Sequence, residues 1–471
     1  MADKWPPEGH SARREGYAKN RLLFKGQHHD VFKRIQNFLD READKSIIYI
    51  VCNYAGLISK ICADLLFGEQ LKVVVGEPDS KEQMAVDAIW TNNKMLPRLY
   101  EMGLSNSWRG DVCIKNRLGK LHAWDTDMLP IIESQPPDYF FPELNGDNIQ
   151  EMTGCTLAWE KKLGDDTYIR KEIHKPGQII NELWKLKDGE LKTQVPLSTF
   201  PEYAEVEELV ETGYPGLLVT HVPNWRLDDM FWGISDYHDM ESLFDGTNNR
   251  LSRIDRILDK HSDPKLILPP GSMKLDPANK RYYIEKEDLQ CMEVNAAEVG
   301  DLPRYLVWDA SFDAAFKELE KYLEIMMMCS EIAPAAFGLD KGGTAESGRA
   351  LKYKMIRTLA KVNRKKLYFD EAIKTAVYIA QVLDVTKGSG SYEPKAPRIV
   401  WADGLPADPK EQADIEMSRK TAGLTSLKAA LQRLDGLEGK ALEDEIKAIK
   451  EEQKSPVVPN PDGDDDGDDE E

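Results

Sequence analysis

Gly338-Leu339-Asp340-Lys341-Gly342-Gly343-Thr344 gathers the residue types that wrap a phosphate in backbone N–H groups. Their order is wrong for that task, because G-x-x-x-x-G-K-[ST] places the lysine between the last glycine and the hydroxyl residue. Gly343-Thr344-Ala345-Glu346-Ser347-Gly348 misses G-x-S-x-G, the spacing of a serine nucleophile on a strand-to-helix turn, by one position. His28-His29 is an adjacent histidine pair in a polar segment, without the H-E-x-x-H spacing of a zinc site, and surface histidines are the expectation. The six cysteines (Cys52, Cys62, Cys113, Cys155, Cys291, Cys329) form no C-x-x-C pair, a pattern expected of buried thiols in a reducing compartment. With 82 Asp and Glu, no carboxylate pair stands out. No catalytic residue, metal ligand or cofactor is therefore assigned.

Charge arrangement is more informative. A helix expected over 311–332 carries Asp313, Glu318, Glu320, Glu324 and Glu331 against only Lys317 and Lys321. A longer helix, expected from Glu346 to about Leu383, opens with Arg349, Lys352, Lys354, Arg357, Lys361, Arg364, Lys365 and Lys366. Lys354, Arg357, Lys361 and Arg364 follow a 3-4-3 spacing, which lines one helix face beside Leu351, Met355, Leu359 and Val362. Such a face could be solvated, bind phosphates, or pair with acids on a neighbouring subunit.

These helices sit in a chain of 471 residues with net charge −20, 41 % hydrophobic and 31 % charged, the profile of a folded protein of several domain-sized units. That charge excludes a generic basic nucleic-acid binder. Eight of the charges lie in the last ten residues, where Pro, Gly and acid predict disorder from about 456 onward. Met1 to Pro7 lacks the apolar run of a secretory leader, and the apolar stretch 47–67 is broken by Asn53, Lys60 and Asp64, so no membrane span is expected.

Elsewhere the patterning predicts a charged arm with a helix over 11–45, then a helix over 46–67 stopped by Gly68. A strand at 71–76 and a helix from Ser80 to about Asn93 follow. From 110 to 187 the period shifts toward two, with turn signals at Gly119, Gly164-Asp165 and Pro176-Gly177, which predicts an antiparallel meander with a hairpin about 175–178. A strand at 216–222 precedes a helix over 237–261 with Leu243, Phe244, Leu251, Ile254 and Leu258 on its apolar stripe. Strands at 265–268 and 281–284 lie in a compact insert, and Phe312, Phe316, Leu319, Leu323 and Met326 form the stripe of the 311–332 helix. A small helical module closes the patterned chain near 453.

The order of several short stretches resembles the portal proteins, or head–tail connectors, of tailed bacteriophages, siphovirus type. The stretches are Asn53-Tyr54-Ala55 through Leu65-Leu66-Phe67-Gly68, Val222-Pro223-Asn224 with Gly233-Ile234-Ser235-Asp236, Leu302 to Asp309, Glu346-Ser347-Gly348-Arg349-Ala350-Leu351, Asp403 to Asp408, and Ala422-Gly423-Leu424-Thr425-Ser426. The basic arm at 11–41 and the acidic tail after Ser455 have no counterpart in that pattern. The resemblance implies an α+β portal fold: N-terminal arm 1–45, wing 46–236, first stem helix 237–262, clip 263–308, second stem helix 309–332, tunnel loop 333–345, long wing helix and linker 346–404, helical crown 405–454 and tail 455–471.

It further implies a ring, usually of twelve copies, at one capsid vertex of the virion, assembled in the host cytoplasm. Double-stranded DNA would pass through the ring, driven by a separate terminase large subunit. Major capsid and scaffold proteins and head-completion or neck adaptors would be its other partners, with no membrane involved. The absence of a phosphate loop suits that division of labour. On this reading Asp313, Glu320, Glu324 and Glu331 line the channel, and Gly338, Lys341, Gly342, Gly343, Thr344 and Glu346 form the loop nearest DNA. Arg349, Lys354, Arg357, Lys361 and Arg364 then form an inter-subunit or DNA-contact face. An acidic lining meets a physical need, since contacts that neutralise phosphate would grip a moving duplex. A metal-dependent nucleic-acid-processing enzyme and a non-channel viral adaptor or scaffold are the alternatives.

Overall fold

The computed structural model describes residues 3–33, 49–122, 124, 126–262, 265–267, 274–275, 277, 280–283, 304–306, 312–339, 348–402, 404, 409–437 and 439–452. The chain divides into two compact units, one of 1–17, 59–236 and 333–471, the other of 18–58 and 237–332. The second unit thus takes in residues 46–58, which the sequence reading grouped with the wing.

In the first unit only the part of the expected meander from residue 140 onward enters the larger sheet, whose order is Asp3–Lys4, Glu190–Val195, Gln178–Lys187, Asp166–Lys175, Met152–Leu163 and Phe140–Leu144, with Leu209–Glu211 also pairing with Gln178–Lys187. All these ladders are antiparallel. The hairpin at Pro176-Gly177 closes with Lys175 opposite Gln178, and Gly177 takes the positive φ of 79° that the tight turn requires.

A three-stranded sheet of Val219–Pro223, Asp111–Gly119 and Leu129–Gln135 supports the main core. There Val112, Ile114, Ile132 and Val222 meet Leu99 and Met102 of helix Met95–Arg109 and Val362, Phe369, Ile373 and Val377 of helix Ile356–Lys387. Each such aliphatic contributes about 1.5–3 kcal/mol of burial. Helix Lys81–Asn92 is capped by Ser80, whose Oγ accepts from Gln83 N at 3.2 Å. A ladder of Lys72–Val74 with Arg398–Val400 adjoins this core.

Two helical features depart from the sequence expectations. Helix Met95–Arg109 holds Pro97 in its first turn, where a missing N–H costs nothing, and Gly103, whose hydrogen permits an approach a Cβ would make at 3.1 Å from the Phe67 ring. The long basic helix is interrupted: Gly348–Lys354 ends at Met355 (φ −89°, ψ 0°), and Ile356–Lys387 continues for 32 residues, about 48 Å.

In the second unit, helices Glu241–Ser262 and Phe312–Ser330 carry the chain out and back. Short ladders pair Lys265–Ile267 with Arg304–Leu306 and Lys274–Leu275 with Tyr282–Tyr283. Phe244, Ile254 and Met326 of the expected stripes are buried, whereas Leu258 and Phe316 are exposed. The segment before helix Tyr54–Phe67 is pinned by polar groups. Asn248 Oδ1 accepts from Cys52 N (2.8 Å), Ser252 Oγ accepts from Ile50 N (2.9 Å), and Tyr237 donates to Ala55 O (2.8 Å). Asn53 Oδ1 accepts from Gly56 N at 2.9 Å, so the helix begins at Tyr54 rather than near residue 46.

Candidate functional site

The motif Gly233-Ile234-Ser235-Asp236 ends the first unit's central segment, and its aspartate is the centre of a buried charge cluster. Asp236 Oδ1 lies 2.9 Å from Lys361 Nζ, and its Oδ2 lies 2.7 Å from Lys365 Nζ. Ser107 Oγ donates to Oδ2 at 2.6 Å, Asn224 Nδ2 donates to Oδ1 at 3.1 Å, and Lys365 also donates to Asn224 Oδ1. Burial alone would raise the Asp236 carboxyl. Lys361 and Lys365 override it and hold the group far below the usual carboxylate range.

Three residues seat this corner. Gly110 has φ 93°, and a Cβ on Gly233 would fall 2.0 Å from Gly110 O, so two backbones touch where only glycine fits. Asp111 Oδ1 accepts from Gly233 N (2.8 Å) and sits 2.7 Å from His221 Nε2, while its Oδ2 accepts from Tyr17 (2.6 Å). Three residues before Lys361, Thr358 Oγ1 accepts from Ala333 N at 2.8 Å, where the chain re-enters the first unit. Thr358, Lys361 and Lys365 are spaced three and four apart, so one face of the long helix holds both the departing and the returning chain.

This overturns part of the predicted basic face. Lys361 is buried in the Asp236 ion pair and does not stand on a contact surface, because the 3-4-3 pattern cannot tell a buried partnered lysine from a solvated one. Lys354, Arg357 and Arg364 are exposed, with Lys354 on the short helix before the Met355 break. The Arg349 side chain lies outside the described residues.

Asp313, Glu320 and Glu324 are exposed on helix Phe312–Ser330 at spacings of seven and four, which is one face. Lys317 and Lys321 share it, and Lys321 Nζ pairs with Glu324 at 2.8 Å, so the face alternates in sign. Glu331 follows the helix end with φ 57° and is half-buried. Glu318 turns instead to Arg250 and Tyr322, whose hydroxyl donates to it at 2.9 Å. Of the predicted loop, Gly338 closes the turn Pro334–Phe337 with φ 71°. Lys341, Gly342, Gly343, Thr344 and Glu346 lie outside the described residues.

Sequence reasoning missed Asp236, Asn224, Ser107 and Lys365 as a unit. The available signal was an acid directly after a G-x-S turn, with lysines four apart on a later helix. Among the described residues no group of three or more His, Cys, Asp or Glu could hold a metal ion, and no helix is long and apolar enough to cross a membrane. A cavity of about 520 Å³ is lined by Lys115, Glu133, Trp159, Arg170, Glu172 and Tyr203 among others. Within it Lys115 Nζ lies 2.7 Å from Glu172, whose carboxyl His174 and Lys115 hold at about 2 against the effect of burial.

The buried Asp236 anchor thus lies against the long helix that packs on the three-stranded sheet of Val219–Pro223, Asp111–Gly119 and Leu129–Gln135. Residues 3–456 match the family described as phage portal protein, SPP1 Gp6-like, and the chain belongs to that family. It is a phage portal protein of α+β fold, a structural component of a phage-like particle. No curated protein sequence matches it.

Among solved structures it is similar to a chain in the neck of a native GTA particle computed with C12 symmetry (10% identity, TM-score 0.42, 81% of this chain and 89% of that one). It is also similar to a chain in the neck of an empty GTA particle computed with C6 symmetry (10%, 0.43, 92% and 95%), and to one in the virion of a native gene transfer agent particle (10%, 0.40, 82% and 90%).

Proposed function

We propose that copies of this chain close into a ring, most simply of twelve, that forms the DNA channel at one vertex of the particle. The observation that carries this reading is membership of the portal family over residues 3–456. A ring of one chain needs two complementary surfaces per subunit that close by rotation. Duplex DNA would enter under a terminase large subunit and leave by the same path. Capsid and scaffold proteins would surround the ring, neck adaptors would extend it, and assembly would take place in the host cytoplasm.

In this reading the Glu241–Ser262 and Phe312–Ser330 helices are the stem, the strands between them belong to the clip, the meander and long helix are the wing, and residues 409–452 are the crown. Asp313, Glu320 and Glu324 face the duplex, their net charge reduced by Lys317 and Lys321, and supply weak repulsion without a continuous acidic wall. The loop 333–345 approaches DNA most closely, with Lys341 as its cation. The long helix is the strut on which both ends of the stem excursion are tied, through Asp236 and Thr358. Nothing in this scheme requires a catalytic step by the chain itself.

Negative-stain images of the purified protein test the proposal directly. Annular particles with a central hole wide enough for duplex are expected. A population that stays monomeric at micromolar concentration across a range of salts would overturn it.

A further inference from the structure

The helices Pro409–Thr421, Leu427–Leu434 and Gly439–Glu452 form a module with almost no interior. Among its described residues only Glu416, Ala430 and Leu442 are buried, and Glu416 is a carboxylate held by Arg433 (2.7 and 2.8 Å) and Arg419 (3.2 Å). Two apolar side chains cannot offset the chain entropy lost in ordering a module of this length. Apolar groups that could make up the difference stand in solvent instead: Ile415 is 48 % exposed, Met417 66 %, Leu424 78 % and Leu434 37 %. Ile415 and Met417, two positions apart on one helix, point about 200° from each other. The first helix therefore offers apolar contact on two opposite sides, as a subunit flanked by two neighbours would need.

Charge is segregated in the same module. Residues 409–434 carry five cations against three acids, and 439–452 carry five acids against three lysines. One part is thus net basic and the other net acidic, the complementarity of a head-to-tail contact.

We infer that this module is completed by a second copy of the chain, the basic hairpin 409–434 of one subunit packing against the acidic helix Gly439–Glu452 of the next. The inference rests on the ring reading, and it makes ordering of the module a consequence of assembly.

Charge complementation in trans tests it with the full-length chain. One variant carries Lys420→Glu and Lys428→Glu; the other carries Glu443→Lys and Glu445→Lys. Each alone sets like charges against each other at every contact and should raise the concentration for half-assembly by about tenfold or more. Mixed in equal amounts, the two should recover wild-type assembly in sedimentation, because alternating subunits restore opposite charges. Hydrogen exchange over 409–452 should be fast in monomers and slow in rings, and circular dichroism checks that each variant is otherwise folded.

Variants that assemble as wild type, a mixture without recovery, or equal exchange in monomer and ring would overturn the inference while leaving the ring intact. A wild-type chain that forms no ring would overturn both.

Discussion

Asp236 and Lys365 are 129 residues apart in sequence, yet Oδ2 and Nζ meet at 2.7 Å with side chains only 1 % and 3 % exposed. Lys361 adds a second ammonium 2.9 Å from the other carboxylate oxygen. Asn224 and Ser107 solvate the carboxylate in place of water. The pair ties Asp236, the last residue of the first unit's 59–236 segment, to helix Ile356–Lys387 of the main core.

Asp236→Asn would remove the carboxylate that both buried ammoniums face, and breaking such a site costs about 3–5 kcal/mol. Lys361→Met would instead leave a one-to-one pair with Lys365 and should cost much less. Thermal unfolding followed by circular dichroism compares the two, and an Asp236→Asn protein as stable as wild type would refute the anchor role.

The same carboxylate predicts a pH dependence. Its folded pKa is depressed, so its stabilisation is complete above the ordinary Asp value of about 3.9 and disappears as pH falls through the folded value. Asp236→Asn should therefore flatten the acid limb of a stability-against-pH curve below about pH 4. A limb of unchanged steepness would point to other carboxylates.

His28 supplies a second dependence, in the other unit. It is buried; its Nε2 donates to Leu23 O at 3.1 Å, and its Nδ1 accepts from Asn248 Nδ2 at 2.8 Å. Burial first, and neighbouring His29 as a minor cause, push its pKa below 6.5 against the hydrogen bonds to Leu23 and Asn53. Because the unfolded chain takes up the proton first, this unit is most stable above about pH 6.5 and weakens as pH falls below it. His28→Gln should shrink that loss between pH 7 and 5 in hydrogen-exchange measurements over 241–262; an identical loss would exclude His28 as its source.

Gly233→Ala would drive a Cβ into Gly110 O, which lies 2.0 Å from its ideal position. Backbone must move at both glycines, so the cost should exceed the roughly 1 kcal/mol of an average substitution. A Gly146→Ala control has no atom within 4 Å of the new methyl. Lower melting of the first variant alone is the expected result.

For the channel, Lys341→Ala should leave ring formation intact and alter DNA retention. Asp313→Lys with Glu320→Lys should slow passage of DNA more at low salt than at high, since added phosphate contacts strengthen as salt falls. A packaging assay over a salt series reads both. Failure of Lys341→Ala to assemble would make the loop an interface element.

Much of the fold was legible because local chemistry determines it. Pro176-Gly177 specified its hairpin, Ser80 its cap, and Gly68 the end of helix Tyr54–Phe67. Helix Met95–Arg109 was not assigned from the sequence, and only its contact with Phe67 explains Gly103 within it. The start at Tyr54 depends on Asn53 Oδ1 reaching Gly56 N. The Met355 break carries no glycine or proline to announce it in the sequence.

Periodicity and turn chemistry predicted by themselves a mixed helix-and-sheet chain without a phosphate loop, and the order of short motifs carried the resemblance to portal proteins, because those features are written residue by residue along the chain. Tertiary structure alone decided which lysines of the basic helix are buried. Lys361 and Lys365 look like their neighbours in sequence, and only the arrival of Asp236 from 125 and 129 positions away turns two solvated charges into an anchor. Helical spacing gives the direction in which a side chain points, and the sign of its partner depends on which distant segment packs there.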